Sequence, residues 1–374
     1  MSQKFKEEMI DLPAGRPLRI LITRADRIGD LIVSTPVFKE VRKYFPNAWI
    51  AGLTFLENRE ALEGHPDLNE VLLYDKKGSE EGWLGNLRFA LWLARKKFDV
   101  VIHLHATNRM HGVTFAARIP VRIGWSRKLG WALTHAFEDR KKEGKKHEAL
   151  YNFELLAPLG IPAPDKPETY FPLTEKSRES LEMLLKHHGI SREKPWIVLS
   201  PGASCRSKRW PAERFGELAE KIAAQYPVQF IAAGTAAETP LIAKMQKSSA
   251  VPVHDLSGRL SIGMLGILLK DAALLISNDS GPVHVASAVG TPVISIFGRK
   301  QQGLSPTRWR PLGKESRVLW KDTGCDPCLA HACQINFLCL DAIFVDDVLG
   351  EVNRLFQIRN PKFEARNKLQ NANL

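Results

Sequence analysis

Twice along the chain, short runs of Val, Ile and Leu alternate with longer amphipathic stretches, and this pattern leaves few architectures open. In the first series, Arg19–Thr23, 49–53, 71–74 and 100–104 read as buried strands, with Pro36–Tyr44 and 84–97 between them as helices. Continuous apolar runs mark strands covered on both faces, and intervening helices supply the cover, so βαβ units and a parallel sheet are expected. A Pro-rich, charged stretch, 162–194, separates this from a second series. Its strands are Trp196–Ser200, 228–233, 253–256, 273–276 and 292–297, and its helices 212–225, 240–247, 261–271 and 282–289. At 374 residues the chain exceeds one ordinary core. The expectation is α/β, with Rossmann-like domains at 1–175 and 176–344. A last amphipathic helix, 345–357, is expected to pack back on the first domain, and 345–374 ends in a polar tail from 361.

Residues 1–15 carry Lys4, Lys6, Glu7, Glu8 and Asp11 with no apolar centre, unlike a signal peptide. The most apolar long stretch, 272–298, is interrupted by Asn278, Asp279 and His284 and cannot be a spanning helix. A soluble, cytoplasmic protein is expected. The net charge of +12 implies an acidic partner. Much of it lies in 118–147, where nine cations face three acids. That stretch reads either as a solvated loop or as a contact for phosphate, carboxylate or an anionic membrane surface. Trp125 and Trp131 interleave with the cations, but no nucleic-acid module is recognisable, so nucleic acid is not an expected partner. Four of five cysteines form Cys325-x2-Cys328-x4-Cys333-x5-Cys339. Reduced thiols, a redox pair or a structural metal at Cys325, Cys328, Cys333 and Cys339 are the open readings, although the second pair is not a tight knuckle.

In open parallel sheets ligands bind beyond the carboxyl ends of the strands. Residues 277–284 lie there and open a helix. Gly281 lets the backbone approach a ligand, Pro282 suits the first helical position, and the helix start offers free N–H groups to a phosphate. Ser280 adds a hydroxyl. Asp279 would repel phosphate and is expected to turn aside, toward sugar hydroxyls or backbone; simple capping by Asp279 or Ser280 is the competing reading. After the strand Trp196–Ser200, residues 201–211 combine small residues, hydroxyls and the cations Arg206, Lys208 and Arg209. This fits a pyrophosphate, or else a basic surface loop. Glu238, after the next strand, is placed to hold a ribose or to start a helix. In the first series no GxGxxG follows the first strand. Instead Gly29-Asp30 puts a carboxylate at a helix start, as a base for an attacking hydroxyl or as an N-cap for the helix from Leu31.

In order, Arg27-Ile-Gly-Asp30, Ser200-Pro-Gly-Ala203, Lys208-Arg-Trp-Pro211 and Ser277-Asn-Asp-Ser-Gly-Pro-Val-His284 resemble glycosyltransferase family 9, the ADP-heptose:lipopolysaccharide heptosyltransferases. The resemblance runs from about residue 18 to 356, and Cys325-Asp-Pro-Cys328 with Cys339-Leu340 is similar to the tail of many members. It implies a GT-B fold, two Rossmann-like domains with parallel sheets facing each other across a cleft. It also implies an inverting transfer of heptose from ADP-heptose to the anionic lipopolysaccharide inner core, with no catalytic metal. By the resemblance, Asp30 matches the base, Ser204 and Lys208 lie near the donor phosphates, and Ser280 and Gly281 form the phosphate-binding helix start. Glu238 would hold the ribose and Asp279 the sugar hydroxyls, while His284 matches a position whose role the residues do not give. Ala203-Ser204 departs from the hydroxyl pair of some members, so one phosphate contact is either missing or replaced by Arg206. The basic stretch gains a partner in the acceptor, with Arg122, Arg127 and Lys128 as candidates, and a peripheral contact with the inner face of the inner membrane. Rivals are a transferase for another nucleotide sugar, a sugar-nucleotide epimerase, a binding-only relative and a basic nucleic-acid-binding protein.

Overall fold

A computed structural model describes residues 9–13 and 15–359. The tail from 361 and most of 1–15 lie outside the described residues. The chain divides into two compact units, Met1–Pro172 and Leu173–Leu374.

The first unit is built on six parallel strands: β1 (Arg19–Thr23), β2 (Trp49–Phe55), β3 (Glu70–Tyr74), β4 (Val100–His103), β5 (Val121–Trp125) and β6 (His135–Phe137). Their order is β3-β2-β1-β4-β5-β6. Ile20 pairs with Ile50 on one side and Val100 on the other, and Ile20, Leu21 and Ile22 are fully buried, as their unbroken apolar run requires. The connections leave β1 and β4 in opposite directions, so a crevice opens at the carboxyl ends between them. Its α-helices among the described residues are α1 (Ile28–Ser34), α2 (Pro36–Tyr44), α3 (Gly82–Arg95), α4 (Asn108–Ala116) and α5 (Glu148–Glu154). Pro36, which has no N–H, divides α1 from α2 and opens the second helix at the expected residue. His103 joins β1, β4 and α4, with Nδ1 2.9 Å from Thr23 Oγ1 and Nε2 3.0 Å from Thr114 Oγ1. Burial keeps its pKa well below the ordinary value, so it bonds as a neutral ring.

The stretch 118–147 is not wholly the solvated loop that was one of its two readings, because it contains β5 and β6. Most of its charge is locally paired: Arg127 with Asp139 at 2.9 Å, Arg140 with Glu138 at 2.8 Å, Lys145 with Glu143 at 2.9 Å, and Lys146 with Glu154.

The second unit repeats the plan with β7 (Trp196–Ser200), β8 (Gln229–Ala232), β9 (Val253–Asp255), β10 (Leu274–Asn278), β11 (Val293–Ile296) and β12 (Ser316–Leu319). These are all parallel, in the order β12-β11-β10-β7-β8-β9. Here the reversal falls between β7 and β10. Its helices are α6 (Glu175–His187), α7 (Ala212–Ala223), α8 (Thr239–Lys247), α9 (Ile262–Asp271), α10 (Gly281–Val289), α11 (Pro306–Trp309), α12 (Leu338–Asp341) and α13 (Val345–Arg359). The stretch 162–194 is not all linker: α6 lies within it, capped by Thr174, whose Oγ1 accepts from Ser177 N at 3.3 Å, and it packs on α9. The edge strand β12, half-buried and half polar, carries no clear signal in the sequence.

The last helix departs from expectation. α13 packs on α7 of its own unit, where Val348, Val352 and Leu355 join the buried cluster of Phe215, Leu218 and Ile222. Trp210 Nε1 donates to Ile343 O at 2.8 Å just before it, and Tyr226 Oη donates to Asn353 Oδ1 at 3.0 Å.

Candidate active site

In the first unit the strand ends at the reversal carry a buried charge cluster. Arg24 directly follows β1 and its side chain is 3% exposed. Its Nη2 donates to Asp30 Oδ1 at 2.8 Å and lies 3.5 Å from Asp26 Oδ2. Its Nη1 donates to Glu148 Oε1 at 3.2 Å and to Leu104 O at 3.0 Å, past the end of β4. Lys141, also buried, donates from Nζ to Glu148 Oε1 at 2.6 Å, Asn152 Oδ1 at 3.1 Å and Leu104 O at 3.3 Å. Two cations therefore hold three carboxylates in a low-dielectric setting, and Arg24 Nε is left buried without a hydrogen-bond partner.

Asp30 is not an N-cap. The helix α1 begins at Ile28 with Arg27 in the cap position, so Asp30 lies inside the first turn with its carboxylate turned to Arg24. Ser34 Oγ donates to Asp30 O at 2.8 Å and accepts from Asn152 Nδ2 at 3.0 Å, which ties this turn to α5. The carboxylate is enclosed yet 20% exposed. Burial pushes its pKa up, Arg24 pulls it down, and Asp26 and Glu148 push it up again, to about 6. Such a group is a carboxylate at neutral pH and still accepts a proton readily, as a general base must. Beside it, His105 Nδ1 lies 3.1 Å from Asp26 Oδ2, and burial lowers the imidazole pKa despite that carboxylate.

Sequence reasoning missed Arg24, Lys141, Glu148 and Asn152 as members of this site. Arg24 had a signal, being a charged residue directly after a fully buried strand. Glu148 had none, because it meets Arg24 across 124 residues of sequence.

Of the three acceptor-side candidates, Arg122 donates to Ala132 O at 2.6 Å and to Ile119 O, and its guanidinium stands 5.5 Å from the Phe115 ring. It braces the β5 turn. Arg127 is half exposed and paired with Asp139. Lys128 is exposed on a left-handed residue, φ 60°. The recorded contacts of these three lie outside the Arg24 cluster.

In the second unit the segment after β10 meets the loop after β7. Asn278 fixes them together: its Nδ2 donates to Pro201 O at 2.7 Å, and its Oδ1 accepts from Trp210 N at 3.0 Å. Asp279 is buried and caps nothing. Its Oδ2 takes Lys208 Nζ at 2.8 Å and Arg299 Nη2 at 3.1 Å, while Lys208 Nζ also donates to Asp279 O at 3.1 Å. One carboxylate thus aligns two cations and leaves the group net positive. Ser280 occupies the cap position of α10 without a side-chain cap bond, its Oγ lying 3.1 Å from Ser277 Oγ. With Gly281 and Pro282 opening the helix, the first-turn N–H groups of α10 emerge beside Lys208, a setting suited to an anion. Arg299, just past β11, was missed by the sequence reading, and His284 is buried in α10.

Ser204 is exposed on the β7 loop. Arg206, the possible substitute phosphate contact, donates instead to Asn336 Oδ1 at 2.8 Å with its guanidinium 5.4 Å from the Phe337 ring. Glu238 realises the helix-start reading: Thr235 and Glu238 form a capping box, with Oε2 accepting from Thr235 N at 2.8 Å. Its other oxygen faces Gly202, where an added Cβ would stand 2.0 Å from Oε1. The absence of a side chain at 202 is what lets the β7 and β8 loops close on each other.

All five cysteines are free thiols. Cys333 Sγ accepts from Phe337 N at 3.2 Å, and Cys339 bonds Gly298 O. Burial raises the Cys328 thiol, but N–H groups of Ala330, Lys300 and Gln301 outweigh it and set the pKa below the ordinary value. Burial and the neighbouring thiols push Cys339 up to about 11. Among the described residues, no three or more His, Cys, Asp or Glu side chains are grouped to hold a metal ion.

Residues 87–338 match the family model of glycosyltransferase family 9 (heptosyltransferase). Lipopolysaccharide heptosyltransferase 3 of Escherichia coli is 24% identical over 337 residues, covering 87% of this chain and 96% of that protein. Among solved structures, a family 9 glycosyltransferase from Veillonella parvula aligns with a TM-score of 0.81 at 23% identity, over 92% of this chain and 99% of its own. The E. coli ADP-heptose lps heptosyltransferase II aligns with a TM-score of 0.74 at 23% identity, over 92% and 100%. The two α/β units are those of the GT-B fold, and the chain belongs to glycosyltransferase family 9, the heptosyltransferases.

Proposed function

We propose that this glycosyltransferase moves a heptose from ADP-heptose to a hydroxyl of the anionic lipopolysaccharide inner core, with inversion and without a catalytic metal. It would act in the cytoplasm, at the inner face of the inner membrane where such an acceptor is presented. The observation that carries the reading is Asp30, a partly exposed carboxylate in the first turn of α1, held by Arg24 and tuned to about 6. Asp30 takes the proton as the acceptor oxygen bonds to the anomeric carbon, and the bond from that carbon to the diphosphate breaks. Lys208, Arg299 and the start of α10 neutralise the charge on the departing ADP, with Ser204, Ser280 and Gly281 as phosphate contacts. Glu238 holds the ribose through the oxygen its capping box leaves, and Asp279 the sugar hydroxyls. Arg127 and Lys128 serve an anionic acceptor, whereas Arg122 is engaged with backbone carbonyls. Arg24 is a positioning residue.

The deciding experiment is product analysis with ADP-heptose and defined core acceptors, run with and without excess EDTA, beside binding of ADP, UDP and GDP. A single heptosylated product of inverted configuration, undiminished by EDTA, and a clear preference for ADP are expected. Preference for UDP or GDP would move the enzyme to another donor, and turnover lost in EDTA would remove the metal-free step. Lys208→Ala should lower turnover by about 100-fold and weaken ADP binding, while Arg299 keeps Asp279 paired and the fold intact. Unchanged ADP affinity by calorimetry would take Lys208 out of the phosphate site.

A further inference from the structure

The outward side of α3 takes no part in the site described above. Its inner side buries Gly85, Phe89, Ala90 and Leu93. On its outer side Trp83 is 74% exposed, Leu84 58%, Leu87 44% and Leu91 56%. Positions 83, 87 and 91 recur every four residues, and 84 precedes 87 by three, so the four form one stripe. Exposed Arg88 and Arg95 border it and exposed Lys97 follows it, while residues 82–97 contain no Asp or Glu. Acids flank the helix only at its ends: Glu81 at its cap, Glu80, whose carboxylate is engaged by Asp75 N and Ser79 Oγ, both at 2.7 Å, Glu70, paired with Lys96, and the buried Asp99, paired with Arg16. Beside α3 packs α4, which exposes Phe115, its ring 5.2 Å from that of the still more exposed Trp131.

Single exposed apolar residues are ordinary on a protein surface, but a contiguous aromatic and aliphatic stripe rimmed by cations is the pattern of a helix lying in a lipid interface. We propose that this face of the first unit seats on an anionic phospholipid bilayer. Trp83, Leu84, Leu87 and Leu91 enter the boundary between headgroups and acyl chains, and Arg88, Arg95 and Lys97 meet lipid phosphates. Charge selects the occupant. A second copy docked about a two-fold axis would set the same cations against each other, whereas an anionic bilayer complements a cationic rim and a chain of net charge +12. Among the described residues no helix is long and apolar enough to cross a membrane, which fits a helix lying in the interface. The choice of membrane rests on the function proposed above; the binding surface and its test do not.

The test is co-sedimentation of the full chain with phosphatidylcholine vesicles, with and without phosphatidylglycerol. It is run for the wild type, for Trp83→Glu/Leu87→Glu/Leu91→Glu and for Arg88→Glu/Lys97→Glu. Wild-type binding that depends on phosphatidylglycerol is expected, falling at least about tenfold in both variants, while heptose transfer to a soluble core oligosaccharide stays at the wild-type rate. The second variant changes only charges, so it decides the matter should the first misfold. No vesicle binding by the wild type, or binding untouched by the substitutions, overturns the proposal. So does a dimer by sedimentation velocity that these substitutions dissolve in a chain that ignores vesicles. A chain that binds vesicles yet transfers no heptose would sink the assigned activity and leave the surface standing.

Discussion

Asp30→Ala is expected to fold as the wild type does and to lose turnover by about 100- to 10,000-fold, the range that general-base catalysis supplies. The fold should survive because Arg24 keeps Glu148 and Asp26 as partners when the Asp30 carboxylate is gone. Circular dichroism and thermal melting check the first half, initial rates with saturating donor the second. The wild type should carry a pH signature of the same group. Its pKa of about 6 means that the basic carboxylate is lost as pH falls through 6. Below that point kcat/KM should drop by about tenfold per unit, and Asp30→Ala should lack this limb. A variant of near wild-type turnover, or a wild-type profile flat between pH 5 and 7, removes Asp30 from the chemistry.

The second large effect is on stability. Arg24→Met should cost roughly 3 to 5 kcal/mol, because it leaves buried carboxylates facing each other with only Lys141 to answer Glu148. The sign of the pH dependence follows from the carboxyls. Asp30 already titrates above its unfolded value, at about 6, and without the guanidinium that pulls it down it rises further, so the stability it confers is present at low pH and lost as pH rises through the folded value. The deficit in denaturant midpoint should therefore be larger at pH 8 than at pH 5. Whatever variant remains folded should also show the acid limb of its rate profile displaced upward, since Arg24 is the cation that holds Asp30 down. A deficit independent of pH would point to lost packing instead.

The sheets were legible because their strands are buried on both faces, and runs such as Ile20-Leu-Ile22 have no other reading. The segments that bring Asp30, Lys208 and Ser280 to strand ends were legible for a related reason: in a parallel sheet the chain must turn there. What stayed hidden was of three kinds. The short strand β5 and the edge strand β6 mix Arg122 and His135 among few apolar residues, and so read as a basic loop. Partnership across the sequence has no local sign, which is why Lys141 counted as surface charge although it is buried on Glu148. An amphipathic stripe, finally, says that a face is covered without saying by what; α13 showed its stripe clearly and was assigned to the wrong unit.

The buried Arg24 cluster also bears on the order in which the protein is made. Its sheet is closed by β6 at Phe137, but the residues that hold Arg24 and Asp30 in place, Lys141, Glu148 and Asn152, come later in the chain. During synthesis all six strands of the first unit therefore emerge before Lys141, Glu148 and Asn152. Arg24 and Asp26 stand close to Asp30 in sequence, whereas the Glu148 charge and the Asn152 bond to Ser34 arrive with α5, so the network around the base is completed only when α5 docks.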